Sequence, residues 1–193
     1  MKSIILDTES NGMRPEQICQ LSYIIANDGQ LYGRNFFFSV TSMNEYAQKK
    51  HGFSKMRLYQ LSGGHDFNYF ANEIMADLDD ADLVCGHNIE ADVRVLSMCY
   101  FAAGCAWPKI KEFCTMRHFD NCIRAKNKHG KHKLPRLEEL YRYYGINDER
   151  IQQFCTEMFG KSAFRAHDAR FDAAATCLCI LKAQEHGDVR GVI

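Results

Sequence analysis

The sequence is poor in proline, with three in 193 residues, and it holds one tryptophan. So little proline excludes a polyproline linker or a Pro-rich disordered tail. No apolar run reaches the length of a membrane-spanning helix. No Cys-x-x-Cys pair occurs among the nine cysteines, which removes the usual zinc-ribbon and thioredoxin-like patterns. Net charge is absent too: 24 Lys and Arg balance 24 Asp and Glu, so bulk attraction to a polyanion is not expected. Repeats and low-complexity tracts are also missing. What remains is a length suited to one domain, residues 1–193 with a core over about 3–185, and a hydrophobic fraction of 46%, ordinary for a globular chain. The first strand is expected so near Met1 that no leader is foreseen, and the expected compartment is the cytoplasm.

The chemistry-bearing residues fall in three short segments. Ile4-Ile5-Leu6-Asp7-Thr8-Glu9 begins as an apolar, β-branched strand. Alternate side chains of a strand share a face, so Asp7 and Glu9 can address one site. Such a carboxylate pair repels itself unless cations or protons neutralise it. Gly86-His87-Asn88-Ile89-Glu90-Ala91-Asp92 reads as a strand end, a turn and a helix start, with Asp92 on its first turn. His167-Asp168-Ala169-Arg170-Phe171-Asp172 opens a helix whose apolar face continues through Ala174, Ala175, Cys177, Leu178 and Leu181. Each segment alone is unremarkable, since acids favour early helix turns and strand ends are often solvated. Together, Asp7, Glu9, Asp92 and Asp172 are four oxygen donors suited to two hard divalent ions, and His167 is a base able to take a proton from water.

The combination resembles the DEDDh family of 3′-to-5′ exonucleases, which includes polymerase proofreading subunits, ribonuclease T and oligoribonuclease. The resemblance rests on Asp7-Thr8-Glu9, on the Gly86-His87-Asn88 turn leading to Asp92, and on His167, Ala169 and Asp172 in a His-x-Ala-x-x-Asp pattern. Weaker similarities are His51-Gly52-Phe53, Cys114-Thr115-Met116 and the run Leu134 to Tyr141. Two residues depart from the pattern: Ala91 replaces a bulky aromatic, and Met13 stands where leucine is common. The resemblance implies a ribonuclease-H-like α/β fold with a mixed five-stranded sheet, the first three strands antiparallel. It implies hydrolysis of single-stranded nucleic acid from the 3′ end, DNA favoured, with Mg²⁺ or Mn²⁺ (two ions) and release of nucleoside 5′-monophosphates. Asp7, Glu9, Asp92 and Asp172 would hold metal, and His167 would be the base. Thr8, Gly12, Met13 and Asn88 would border the terminal nucleotide. An RNA-selective enzyme and a catalytically idle nucleic-acid-binding module are the alternatives; association with a polymerase and homodimerisation stay open.

Charge is uneven along the chain. Residues 117–136 carry Arg117, Arg124, Lys126, Lys128, Lys131, Lys133 and Arg136 against Asp120 alone, whereas residues 73–92 carry seven acids and no Lys or Arg. Lys126, Lys128, Lys131 and Lys133 are therefore expected to meet phosphates. An odd cysteine count without a secretory signal suggests reduced thiols. Cys114, His118 and Cys122 lie at i, i+4 and i+8 and could share a helical face, with Cys105 or His129 as a fourth zinc ligand.

Periodicity predicts strands at Ser3–Asp7, Ile18–Ala26, Tyr32–Val40, 82–86 and Phe113–Thr115. Helices are expected from a capping box at Ser42-Met43-Asn44-Glu45 toward Lys50, through Phe67 to Leu78, and over 90–103, 116–124, 136–144, 149–159 and 168–185.

Overall fold

The computed structural model describes residues 1–14 and 16–193. Its sheet is built from β1 (Lys2–Ser10), β2 (Ile18–Asn27), β3 (Gln30–Phe37), β4 (Leu83–Gly86) and β5 (Lys111–Cys114), in the order β3-β2-β1-β4-β5. The β1–β2 and β2–β3 pairs are antiparallel, and β4 and β5 continue the sheet parallel to β1. The five expected strands are all present. The third stops at Phe37 rather than Val40: Phe38 N–H still bonds the carbonyl of Cys19 opposite it, but Ser39 N–H turns away to the His65 carbonyl.

Helices cover both faces, which is why the start of β1 is apolar on both sides. Ile5, Ile24 and Cys85 face α7 (Leu137–Tyr143), α8 (Asp148–Phe159) and α9 (Ala169–His186). Ile4, Leu6 and Val84 face the other way, onto α3 (Phe67–Asp79) and α4 (Ile89–Ala102). Helix α9 is buried almost all round from Ala173 to Ile180, and small Ala and Cys side chains let it lie close against β1 and β2. It starts on Asp168, whose side chain accepts from Arg170 N–H, and stops at Gly187 in the left-handed region.

Several expected elements differ in detail. Helix α1 (Glu45–His51) is capped by Asn44, which accepts from Tyr46 N–H, so Ser42 is not the cap. Ser42 instead hydrogen-bonds Asn11. Helix α2 (Lys55–Ser62) has no counterpart among the expected elements. Its composition is polar with a weak apolar face, and only Leu58 and Ser62 are buried. The expected helix over 116–124 is two four-residue turns, α5 (Thr115–His118) and α6 (Asp120–Ile123), broken at the buried Phe119. No helix among the described residues is long and apolar enough to cross a membrane.

Candidate nuclease centre

The acids meet at the carboxyl ends of β1 and β4, the edge where parallel strands leave a crevice. Asp7 and Glu9 lie on the β1 face that Ile5 presents to α9, opposite Ser22 and Gln20 of β2. Asp172, one turn into α9, comes over the same face. The ligand atoms of Glu9, His167 and Asp172 lie within 4.8 Å of one another. Asp92 arrives from α4 and is held at the strand end. Its Oδ1 accepts from Thr8 N–H at 3.0 Å and from the Thr8 hydroxyl at 2.7 Å. Thr8, expected beside the terminal nucleotide, therefore commits both donors to Asp92.

Two non-glycine residues at the site adopt positive φ: Asn88 at 75° and His167 at 65°. Each stands just before the helix that delivers an acid. For His167 the left-handed backbone costs roughly 1–2 kcal/mol. It turns the His167 N–H onto Asp172 Oδ2 at 3.2 Å and leaves Nδ1 3.9 Å from the same oxygen. His167 therefore precedes α9 rather than lying in it. Asn88 makes no capping bond, and it is exposed.

The electrostatics follow from burial and crowding. Glu9 and Asp92 are each 6% exposed. Burial is the main cause that pushes Glu9 up to about 8, Asp92 to about 7 and Asp172 to about 7. Asp7 is raised well above the usual carboxylate range by burial, then by Asp172, Asp92 and Glu9. Lys50, on the last turn of α1, opposes the rise at all four. The His167 imidazole is shifted the other way, lowered from 6.5 by burial and by Lys50 and Arg165. Near neutral pH the His167 ring is thus free to accept a proton. Oxygen donors that burden one another with negative charge, beside a neutral imidazole, suit hard divalent cations. Glu9, Asp172, Asp7 and Asp92 are the residues that could hold them.

Side chains that attracted no notice in the sequence hold this arrangement. Gln20, fully buried opposite Glu9, donates from Nε2 to Asp168 Oδ1 at 2.9 Å and accepts at Oε1 from Ala169 N–H at 3.0 Å. Asn35 Oδ1 in turn accepts from Gln20 and from Ser22. This ladder fixes where α9 begins, and so where His167 and Asp172 sit. Asp168, next to His167, is a buried structural cap. Asn11 does the same for the loop after β1: its Oδ1 accepts from Met13 and Gln17 N–H groups, and its carbonyl accepts from Asn44. Gly12 is needed there. It has φ +64°, and a Cβ on it would stand 2.9 Å from Ala47 Cβ. Met13 is exposed. A polar alternation in β2 and β3 was the sequence signal for the Gln20 ladder.

His87 is also structural. Its ring bonds Thr115 Oγ1 and the Pro135 carbonyl, both at 3.0 Å, and burial lowers its pKa to about 4. It thereby ties the Asn88 turn to the base of the basic segment. That segment is a small hairpin with a Lys126–His132 bridge and a turn at Asn127–Gly130. Lys126, Lys128 and Lys131 are exposed, whereas Lys133 is engaged with Glu139. No zinc face forms over Cys114, His118 and Cys122: the break at Phe119 separates the first two from the third, and among the described residues three donor atoms come within 4.8 Å of one another at Glu9, His167 and Asp172 instead. All nine cysteines are free, five of them buried as small apolar side chains.

No family model matches the sequence, and no curated protein matches it. Solved structures do. E. coli exonuclease I in complex with a dA16 oligonucleotide superposes with a TM-score of 0.71 at 16% identity over 95% of this chain and 41% of that one. Exonuclease I in its apo form gives 0.73 at 16% identity, over 95% and 42%. The zinc-ion-bound form of the E. coli exonuclease I complex with single-stranded DNA gives 0.73 at 16%, over 95% and 40%. This likeness establishes the fold as the mixed α/β, ribonuclease-H-like architecture of those exonuclease structures. The chain spans about two-fifths of their length.

Proposed function

We propose that this protein is a metal-dependent 3′-to-5′ exonuclease that removes nucleoside 5′-monophosphates from single-stranded nucleic acid, with DNA favoured. The observation that carries the reading is the meeting of Asp7, Glu9, Asp92 and Asp172 at one sheet edge, with their carboxyls raised by burial, beside the neutral imidazole of His167. The similar structures bound to single-stranded DNA support the choice of substrate. Bound Mg²⁺ or Mn²⁺ supplies neutralisation of the carboxylates and of the phosphodiester, and acidifies water.

The chain's own groups do the rest. Glu9 and Asp172 approach the phosphate from the α9 side of β1, while Thr8 holds Asp92 at the strand end. His167 takes the proton of the attacking water as the new P–O bond forms, and the 3′ oxygen of the preceding nucleotide leaves. Asn88, Gly12 and Met13 line the rim where a terminal nucleotide fits. Unpaired strands suit such a crevice because stacking and backbone contact do not need a complementary strand.

The test is digestion of 5′-labelled single-stranded DNA and RNA with Mg²⁺, with and without chelator, beside Asp7→Ala as the control. Stepwise shortening from the 3′ end, abolished by chelator and in the variant, supports the reading. Binding without cleavage by the wild type, or full activity of folded Asp7→Ala, overturns it.

A further inference from the structure

A cationic cavity lies next to the carboxylate centre, on the β3 side. Its volume is ≈ 420 Å³, and its walls include His51, Gly52, Arg57, Arg165, Asp168 and Arg170. Their charges do not cancel. Arg170 is committed to Asp168, with Nε to Oδ1 at 2.9 Å and Nη2 to Oδ2 at 2.6 Å, and its guanidinium also lies over Phe164. His51 is neutral, since burial lowers its pKa to about 4, and its Nδ1 accepts from Phe53 N–H at 3.0 Å. Arg57 and Arg165 remain. Among the described residues neither has a carboxylate within ion-pair distance.

Arg165 also approaches Gly52 closely. A Cβ on Gly52 would fall 1.7 Å from its Nη2 and 2.7 Å from Cζ, so the guanidinium comes end-on to the bare backbone at position 52, a place that only glycine leaves open. A guanidinium's planar fork matches phosphate oxygens. Two unpaired forks facing one open cavity, one of them two residues before His167 in the chain, form a receptor for an anion close to the reacting bond.

We propose that Arg57 and Arg165 hold a backbone phosphate of the substrate strand on the 5′ side of the bond being cleaved. This rests on the nuclease reading for the direction of the strand, and adds the track the strand follows away from the acids. It also divides the labour of binding: the lysine hairpin lies on the β5 side of the crevice, and the arginine cavity on the β3 side. A dinucleotide has a single phosphodiester, the one to be cleaved, and so carries no phosphate on its 5′ side for the cavity, whereas a dodecanucleotide does.

The experiment is fluorescence anisotropy with labelled dithymidylate and dodecathymidylate, in chelator and over a salt series. It compares wild type, Arg57→Ala, Arg57→Ala with Arg165→Ala, and the charge reversal Arg57→Glu. The double variant is expected to bind the dodecamer about tenfold more weakly and the dimer unchanged. Its salt slope should fall by about 0.7 for each phosphate that is no longer neutralised. Arg57 is on the exposed side of α2 and anchors nothing, so Arg57→Glu keeps the question open to measurement if the double variant does not fold. Equal dodecamer affinity and slope in wild type and Arg57→Glu overturns the proposal. So does displacement of the dodecamer by thymidine 5′-monophosphate that depends on both arginines, which would assign the cavity to the free product. Arginine-dependent binding without hydrolysis by the wild type would fail the nuclease reading and keep the cavity; hydrolysis without arginine dependence would do the reverse.

Discussion

Replacing Glu9 with Gln tests the electrostatic core of the site apart from any activity. The Glu9 carboxyl ionises at 4.5 in an unfolded chain and at about 8 in the folded protein. Burial is the largest cause, Lys50 opposes it, and Asp172 and Asp92 add to it. The stability contributed by this group is therefore fully present below 4.5 and is lost as pH rises through 8. Relative to the neutral form, ionisation destabilises the folded, chelated protein by about 1–2 kcal/mol at about pH 5.5 and on the order of 4–5 kcal/mol at about pH 9. Gln has nearly the same shape and no charge to desolvate. Any difference in packing between Glu and Gln is the same at both pH values, so the change in their stability gap with pH reports the ionisation of Glu9 together with the repulsion it exerts on Asp7. That change is about 3 kcal/mol. With about 2–4 °C in Tm per kcal/mol for a chain of this size, Glu9→Gln should gain on the order of 10 °C over wild type between the two pH values. Thermal unfolding by circular dichroism in chelator measures it. Mg²⁺ should then raise the wild-type Tm at the higher pH and raise that of Glu9→Gln much less. A stability gap that does not grow with pH would refute the argument that Glu9 is held in a charge-crowded, desolvated cluster.

Other outcomes follow from the same geometry. His167→Ala should reduce saturated turnover by about 10²–10⁴-fold and abolish the acidic limb of the pH–rate profile, which in wild type lies below 6.5; an unchanged limb would assign the base elsewhere. Gln20→Ala removes the clamp on the start of α9 and leaves the Ala169 N–H without its acceptor, so it should cost about 1–3 kcal/mol in urea unfolding and slow turnover, whereas Gln20→Glu should be worse because it faces Asp168. Replacing Lys126, Lys128, Lys131 and Lys133 with Ala should raise KM and flatten the salt dependence of binding. Because Lys133 is tied to Glu139, the triple variant that keeps it should show nearly the whole effect, and identical salt slopes would leave the hairpin an ordinary exposed loop.

Much of the architecture is written in local periodicity. Ile4-Ile5-Leu6 is apolar on both faces because helices cover both, and the alternation of a strand puts Asp7 and Glu9 together without knowledge of any partner. Helices α3, α4 and α9 announce themselves by apolar spacing. Where the signal is weak, only tertiary contacts decide: α2 has a thin apolar face, and Phe119 breaks an apparently continuous helix because its ring is buried against Tyr144. The site divides in the same way. The sequence offers the four acids and the histidine as candidates through the joint occurrence of three segments, each unremarkable alone. It cannot say that Thr8 turns both donors onto Asp92, that Lys50 reaches all four carboxylates, or that Gln20 reaches 148 residues along the chain to Asp168. Nor can it show that Arg57 and Arg165 are left without acids while Arg170 is not. Short-range spacing is a property of the chain, whereas pairing, burial and the resulting pKa shifts depend on distances that exist only once remote segments are packed together.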